Sequence, residues 1–106
     1  MQTILRRQFC DFLSEFDLLL TPTTPISAPV RGSADAVERA RLLTRFTAPF
    51  NLTGLPALSV PCGWTSEKMP IGLQIVSKPW AEAKVLLAGE LYEHSRRLRI
   101  PVASLT

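Results

Sequence analysis

The sequence is poor in the residues that build most metal and cofactor sites. Its 106 residues include two cysteines and one histidine. Cys10 and Cys62 lie far apart, with neither a CxxC pair nor the Cys/His spacing of a zinc site, so we interpret both as reduced and buried. His94 falls late in a predicted helix and is interpreted as a solvated side chain. We therefore predict no metal site and no cofactor.

Long apolar runs and familiar catalytic motifs are also missing. The sequence contains no GxSxG nucleophile elbow, no phosphate-binding loop and no GxGxxG dinucleotide fingerprint. No apolar run approaches the roughly 18 residues of a membrane-spanning helix, and charged residues interrupt the N-terminal segment where a signal peptide would be apolar. We expect a cytoplasmic protein with no membrane partner.

The charge pattern gives no indication of a nucleic-acid partner. The formal net charge is +3, but the basic residues are scattered and are not interleaved with aromatic residues that would stack on bases. Apolar residues, by contrast, make up 46% of the chain, which is high for this length. We expect exposed apolar surface that a neighbour covers, either a second copy in a homo-oligomer or sequence missing from this chain.

Apolar periodicity and proline positions predict an α/β fold with elements in the order helix-strand-helix-strand-strand-helix. A short polar loop joins the last two strands, which favours antiparallel pairing between them. A single helix over residues 2–20 is an alternative to the first helix and strand. Because two or three strands make a small sheet, we expect strands from outside this chain to complete it. The predicted elements are helices over residues 2–16, 35–48 and 80–97 and strands over residues 18–20, 57–62 and 71–77.

Helix boundaries and helix faces are predicted from single residues. Asp35 and Glu38 have the spacing of a capping box at the start of the second helix, and Pro49 is expected to end or kink it. The apolar stripes expected to face the core are Leu5, Phe9, Phe12, Leu13 and Phe16 in the first helix, Val37, Ala40, Leu43 and Phe46 in the second, and Val85, Leu87, Ala88, Leu91 and Tyr92 in the third.

The segment from Phe46 to Gly63, FTAPFNLTGLPALSVPCG, contains three prolines and two glycines. Asn51 tolerates unusual backbone angles, and Gly54 supplies a positive φ before the next strand begins. Such a turn is a rigid corner between a helix and a strand, and its small side chains would also let a ligand approach closely. On the residues alone, both interpretations stay open.

Gln74 is predicted to lie in the middle of a strand, on the same face as Gly72. A buried amide needs hydrogen-bond partners. These would be either neighbouring backbone groups or the wall of a substrate channel.

Three blocks of the sequence resemble the C-terminal end of the amidase signature family. They read FDLLLTPTTPISAP, FTAPFNLTGLPALSVPCG and PIGLQIVSKPWAEAKVLLAGELYE, and together they run from Phe16 to Glu93. Members of the family hydrolyse carboxylic amides, and one branch is the A subunit of glutamyl-tRNA(Gln) amidotransferase. The resemblance implies an α/β/α sandwich with a mixed sheet, of which residues 1–106 form one C-terminal segment.

The family resemblance implies a catalytic apparatus that this sequence does not contain. The family uses a Ser–cis-Ser–Lys triad from a Gly/Ser-rich region that precedes the matched part. We therefore assign no catalytic residue, and neither Ser59 nor Ser77 is taken as a substitute. We expect a structural and substrate-pocket portion of an amide hydrolase that is inactive alone, its partners being the missing N-terminal portion and a small-molecule amide. The alternative is a stand-alone oligomerisation or interaction module.

The resemblance also implies which residues lie near the substrate. The corner that contains FNLTGLP lies on the acyl-binding side in such enzymes, so Phe46, Asn51 and Gly54 are the substrate-pocket candidates. The amidotransferase branch resembles D-x-x-T-x-P-x-N at this place, with an acidic residue suited to the ammonium group of glutamine. Thr44 stands at that acidic position, which favours a general amidase over a glutamine-specific one.

Overall fold

The fold is a small antiparallel sheet with helices on both faces. The computed structural model describes residues 2–28, 32 and 34–96. All three described strands belong to one sheet in the order β1-β3-β2, and both neighbouring pairs are antiparallel. The α/β class is thereby confirmed, with β3 in the centre. The elements are α1 (Gln2–Glu15), β1 (Leu19–Pro22), α2 (Ala36–Leu43), α3 (Ala48–Thr53), β2 (Ala57–Trp64), β3 (Pro70–Val76) and α4 (Glu82–Arg96).

The first strand is separate from the first helix. Helix α1 ends at Glu15, and Leu19 pairs with Val76 of β3. The single helix over residues 2–20 is therefore the wrong alternative. Leu19 and Leu20 suit a strand here because they pair with Val76 and Ile75 of β3, whereas Leu18 precedes the strand.

Strands β2 and β3 form the predicted antiparallel hairpin. Ala57 pairs with Val76 and Trp64 with Pro70, with an irregularity between Pro61 and Gly63. Both strands extend further toward the connecting turn than the sequence predicted. The turn itself is closed by a backbone hydrogen bond of 2.8 Å from Thr65 N to Met69 O, which lets pairing continue up to it.

Helix α4 covers one face of the sheet. Val85 packs against Val60 and Ile75, and Ala88 and Tyr92 join this cluster as predicted. The helix approaches β2 so closely at Gly89 that an added Cβ would lie 2.6 Å from Leu58 Cδ2. The predicted broadening of this stripe by Leu87 and Leu91 is wrong, because both side chains are exposed. At about 100° per residue, Leu87 lies on the far side of the helix from Val85.

Helices α1 and α3 pack on the opposite face, at the end of the sheet near Val76. Their shared cluster consists of Leu13, Phe50, Leu55 and Val76, with Phe9, Cys10 and Leu19 against it. The Phe9 and Phe50 rings lie 5.1 Å apart between centroids, which fixes the crossing of the two helices. Phe12 and Phe16 were expected in the core but are about half exposed and stack on each other instead, with centroids 4.8 Å apart. Cys10 and Cys62 are half-buried.

The predicted helix over residues 35–48 is two helices. Pro49 lies in the first turn of α3, where its missing N–H leaves no hydrogen bond unmade, so it begins a helix rather than ending one. The predicted capping box is also wrong. Asp35 makes no side-chain cap and instead accepts a 2.7 Å hydrogen bond from Arg39 Nε. Helix α2 buries none of its residues, so its predicted apolar stripe does not face a core within the described part of the chain.

Candidate functional site

A band of polar side chains crosses the sheet on the face opposite α4. Thr21 of β1 and Ser59 of β2 both pair with Gln74 of central β3, so the three side chains lie on one face. The same face carries Leu19 and Val76 at its other end, where α1 and α3 cover it. The polar band begins where that apolar cover stops.

Gln74 ties three segments together at this band. Its side chain is 4% exposed, and its Nε2 donates hydrogen bonds of 2.9 Å to Thr21 Oγ1 and of 2.9 Å to the carbonyl oxygen of Phe46. Because a carbonyl can only accept, the second bond fixes which amide atom is the nitrogen. The predicted need for partners is thus met by a neighbouring backbone group and a hydroxyl. The amide of Gln74 in β3 thus links β1 and the segment between α2 and α3 to the central strand.

Thr23 and Ser59 approach each other across Gly72. Their Oγ atoms lie 2.6 Å apart, and the backbone N–H of Thr23 donates a 3.0 Å hydrogen bond to Gly72 O. A Cβ at position 72 would lie 2.7 Å from Thr23 Oγ1 and 2.9 Å from Ser59 Oγ. Glycine in the central strand is therefore what allows the hydroxyl of Ser59 in β2 to meet that of Thr23, the residue that follows β1.

An open cavity of about 420 Å³ lies beside the hydroxyl pair. Thr23, Ser59 and Gly72 contribute the polar part of its lining together with Thr24, and none of the described residues that line it is charged. Leu43, the last residue of α2, lines it on one side. The remaining lining residues are Ala28, Val60, Pro61, Pro70 and Ile71.

The three substrate-pocket candidates lie along one segment but do not meet at one point. Phe46 reaches the polar band through its carbonyl oxygen, and its side chain is half-buried. Gly54 ends α3 with φ of 71°, which confirms the expected positive φ. Asn51, a residue type that tolerates unusual backbone angles, adopts helical ones here. It lies inside α3 with an exposed side chain, because the helix that begins near Pro49 runs through it.

Gly54 is held against α1 rather than against the cavity. The guanidinium of Arg6 donates a hydrogen bond to the carbonyl oxygen of Thr53, the residue before Gly54. Thr53 is buried, and its hydroxyl donates a 2.8 Å hydrogen bond to Pro49 O. These contacts set the direction in which the chain leaves α3 for β2.

The sequence did not identify the hydroxyl pair as part of a site. Its one signal was the alternation in β3, which places Gly72 and Gln74 on one face. Which residues face them from β1 and β2 depends on strand order and register, and these are tertiary features.

The described part of the chain gives no indication of a metal site or of a catalytic histidine. Residues 2–28, 32 and 34–96 contain no group of three or more His, Cys, Asp or Glu side chains placed to hold a metal ion. His94 is exposed near the end of α4, 3.9 Å from Glu90 Oε1. Among these same residues, no helix has both the length and the apolar character needed to cross a membrane.

Comparison with known proteins identifies the family. The Amidase family model matches residues 1–86. The chain is 42% identical over 96 residues to the A subunit of glutamyl-tRNA(Gln) amidotransferase from Prochlorococcus marinus (strain MIT 9211), covering 90% of this chain and 20% of that protein. It is 40% identical over 94 residues to a fatty acid amide hydrolase from Medicago truncatula, covering 80% of this chain and 16% of that protein.

A solved structure agrees with these sequence relatives. The crystal structure of the A subunit of glutamyl-tRNA(Gln) amidotransferase from Thermotoga maritima superposes with a TM-score of 0.63 at 36% identity, covering 79% of this chain and 19% of that one. The chain belongs to the amidase family, which confirms the resemblance seen in its sequence. It spans about one-fifth of the length of the curated relatives that it matches.

Proposed function

We propose that this chain is the C-terminal structural and substrate-pocket portion of an amidase-family hydrolase that cleaves carboxylic amide C–N bonds. Its membership of the family supports the reaction class, and its coverage of about one-fifth of the relatives supports its being one portion of a larger fold. The observation that carries the proposal is the polar band around Gln74. Gln74 is buried there against the Phe46 segment, and beside it the face of the sheet is left open at the cavity lined by Ser59 and Gly72.

In this proposal the segment that contains Phe46, Asn51 and Gly54 forms one wall of the substrate pocket, with Gly54 directing the chain beside α1 rather than lining the cavity. The bond from Gln74 fixes the position of Phe46 relative to the sheet. The left-handed backbone of Gly54 sets the angle between α3 and β2. Asn51 presents an exposed amide that can face a ligand or the remainder of a longer protein.

The reacting groups belong to the N-terminal portion of the family fold. There a serine would attack the amide carbonyl carbon, the amine would leave, and water would cleave the acyl-enzyme. The described lysines of this chain are exposed, at positions 68, 78 and 84. Ser77 donates its hydroxyl hydrogen to backbone carbonyls, and the ammonium group of Lys84 bonds to Asp17. Our proposal is that this portion supports the pocket and performs no bond cleavage alone.

Covalent labelling tests this division of roles. The purified 106-residue chain is expected to show no mass increase with a fluorophosphonate probe, whereas a longer protein that contains it together with a Gly/Ser-rich signature region is expected to gain one adduct. A Ser59→Ala variant is the control for non-specific labelling. An adduct on the short chain, mapped to Ser59 or Ser77, would contradict the proposal.

Thr44 bears on the choice between a general amide and glutamine as the substrate of the longer protein. This residue caps the C-terminal end of α2, and its carbonyl oxygen accepts a 2.8 Å hydrogen bond from Ala48 N. Relatives named as an amidotransferase and as an amide hydrolase match at 42% and 40% identity, so overall identity does not separate the branches. We favour a general amide over glutamine, and comparing the hydrolysis of the two by the longer protein decides between them.

Exposed apolar side chains favour a second candidate, a stand-alone oligomerisation or interaction module. Leu86, Leu87 and Leu91 are exposed on the outer side of α4, and Phe12, Phe16 and Leu20 are exposed beside β1. Sedimentation separates the two candidates, since a monodisperse dimer with a cooperative unfolding transition favours the module. Non-specific association through these exposed side chains favours the portion of a larger enzyme. A cytoplasmic location is proposed for both.

A further inference from the structure

We propose that the hydroxyl pair of Thr23 and Ser59 is a binding site for an uncharged carboxamide group held in the adjoining cavity. This inference deepens the proposed function, on which it rests only for the choice of an amide as ligand. The site itself is argued from the hydrogen bonds, spacing and lining of the cavity.

The pair carries more hydrogen-bonding capacity than it uses internally. Two hydroxyls have two hydrogens, and the 2.6 Å contact between their oxygens occupies one of them. The second hydrogen remains available as a donor, and lone pairs on both oxygens remain available as acceptors. A carboxamide presents one carbonyl acceptor beside N–H donors, so it matches this combination with both of its polar ends.

Gly72 makes the pair accessible from the cavity. All three residues line it, and no side chain at position 72 stands between the two hydroxyls. The N–H of Thr23 is already bonded to Gly72 O, so the backbone holds Thr23 in place without using its hydroxyl. The pair is thus positioned before any ligand arrives, which lowers the entropic cost of binding.

The lining selects against charge. The described residues that form it are apolar side chains, prolines, a glycine and three hydroxyl residues, with no acidic or basic group among them. A charged ligand would lose hydration on entering and gain no opposite charge from these described residues, whereas a neutral amide would exchange water for the hydroxyls. The volume of about 420 Å³ falls within the range of small-molecule sites.

The cavity also adjoins the proposed substrate wall. Leu43 lines it and precedes the segment whose Phe46 carbonyl is bonded to Gln74. Thr21, which accepts the other Gln74 hydrogen bond, lies on the same strand face as the Thr23 hydroxyl. A carboxamide on the hydroxyl pair would therefore lie next to the wall formed by Phe46.

A ligand series on the unaltered 106-residue chain tests the site without any mutation. Titrations of the 15N-labelled chain with benzamide, acetophenone and benzoate are followed by two-dimensional NMR. Benzamide is expected to shift the backbone amide of Gly72 and those of its cavity neighbours. Acetophenone has the same shape but no N–H and is expected to bind about two- to tenfold more weakly, which corresponds to one neutral hydrogen bond. Benzoate carries a charge that loses hydration in the cavity, so it too is expected to bind more weakly. Equal binding of the three, or shifts confined to other surfaces, would overturn the proposal.

Substitutions of Thr23 and Ser59 test whether their hydroxyls contribute to benzamide affinity. Thr23→Val and Ser59→Ala each remove one hydroxyl while keeping the size of the side chain nearly constant, and each is expected to weaken benzamide binding about two- to tenfold. Thr23→Ser is expected to restore binding. Ser66→Ala makes the same chemical change in the exposed turn between β2 and β3 and is expected to have no effect. Unchanged affinity in both Thr23→Val and Ser59→Ala would remove the hydroxyl pair from the site.

The outcomes separate this site from the proposed function. If the chain binds benzamide through the pair but the longer protein hydrolyses no amide, the proposed function fails and the site stands. If the longer protein hydrolyses amides while the chain shows no preference for benzamide, the site fails and the proposed function stands.

Discussion

On one face of the sheet α4 seals the apolar side chains around Ile75, while on the other face α1 and α3 cover only the end near Val76. On the sealed face Val60 and Ile75 form one buried cluster with Val85 of α4. On the other face, Gln74 lies two residues before buried Val76 in β3, and Gly72, two residues earlier still, lies beside an open cavity.

The two faces therefore have different roles: apolar packing under α4 stabilises the chain, and the opposite face presents polar groups that a ligand or partner can bind. Over β2 and β3 a helix of the same chain covers the sealed face, whereas Leu20 of β1, which pairs with Ile75, stays 58% exposed. The half-covered face carries hydroxyls and an amide that apolar packing would have left unsatisfied, so these groups are placed for hydrogen bonding. Substitutions on the sealed face are therefore expected mainly to lower stability. Those on the half-covered face are expected also to shift the segment that contains Phe46.

The largest effect is expected on the sealed face. Ile75→Ala should lower the free energy of unfolding by about 2–5 kcal/mol, because it removes a side chain that is 2% exposed and leaves a cavity under α4. Urea unfolding of the 106-residue chain measures this. Ile4→Ala, the same change at a position 65% exposed on α1, is the control and should stay within about 0.5 kcal/mol. Equal losses for the two variants would mean that α4 does not seal this face.

An intermediate effect is expected at the polar band. Gln74→Leu should cost about 1–3 kcal/mol, because the Phe46 carbonyl oxygen loses its donor while the site stays buried. Gln8→Leu makes the same change on the exposed surface of α1 and should be nearly neutral. NMR should also show the backbone amides around Phe46 shifting in Gln74→Leu and remaining in place in Gln8→Leu. A fully stable Gln74→Leu chain with unshifted amides would contradict the role given to this residue.

The smallest effect is expected at the corner. Gly54→Ala should cost about 1 kcal/mol, since φ of 71° is unfavourable for a residue with a Cβ. Gly63→Ala in β2 is the matched control, because an added Cβ there meets no atom within 4 Å and its φ lies outside the left-handed region. Thermal unfolding of both variants compares them directly. A larger loss at Gly63 than at Gly54 would show that the left-handed backbone does not limit this corner.

Much of the fold was predictable because it is encoded locally. The β2–β3 hairpin follows from two strands joined by a short turn, and the stripe of Val85, Ala88 and Tyr92 follows from helical periodicity. Periodicity does not say how wide the contact will be, so it assigns Leu87 and Leu91 to a core that they do not reach. Pro49 is ambiguous in the sequence because proline fits the first turn of a helix as well as the region beyond its end.

The candidate site was predictable only in part. Gly54 could be identified because a positive φ at a helix end is a local property. The meeting of Thr23 with Ser59 could not, since these residues are 36 positions apart and come together only when β1 pairs with β3. Gln74 was recognised as a buried amide, but its partner Thr21 lies 53 positions away on the same distant strand.

The two outer strands each carry a proline on the side that faces away from the sheet. Thr23 donates its N–H inward to Gly72 O, so by alternation the nitrogen of Pro22 points outward. The bond from Ser77 N to Pro56 O places the nitrogen of Pro61 outward in the same way. Neither proline interrupts the hydrogen bonds inside the sheet. Each removes one N–H donor from an outer edge, where a strand of another molecule could otherwise pair and begin aggregation. A strand that continued the sheet at either margin would therefore have to pair around one missing donor.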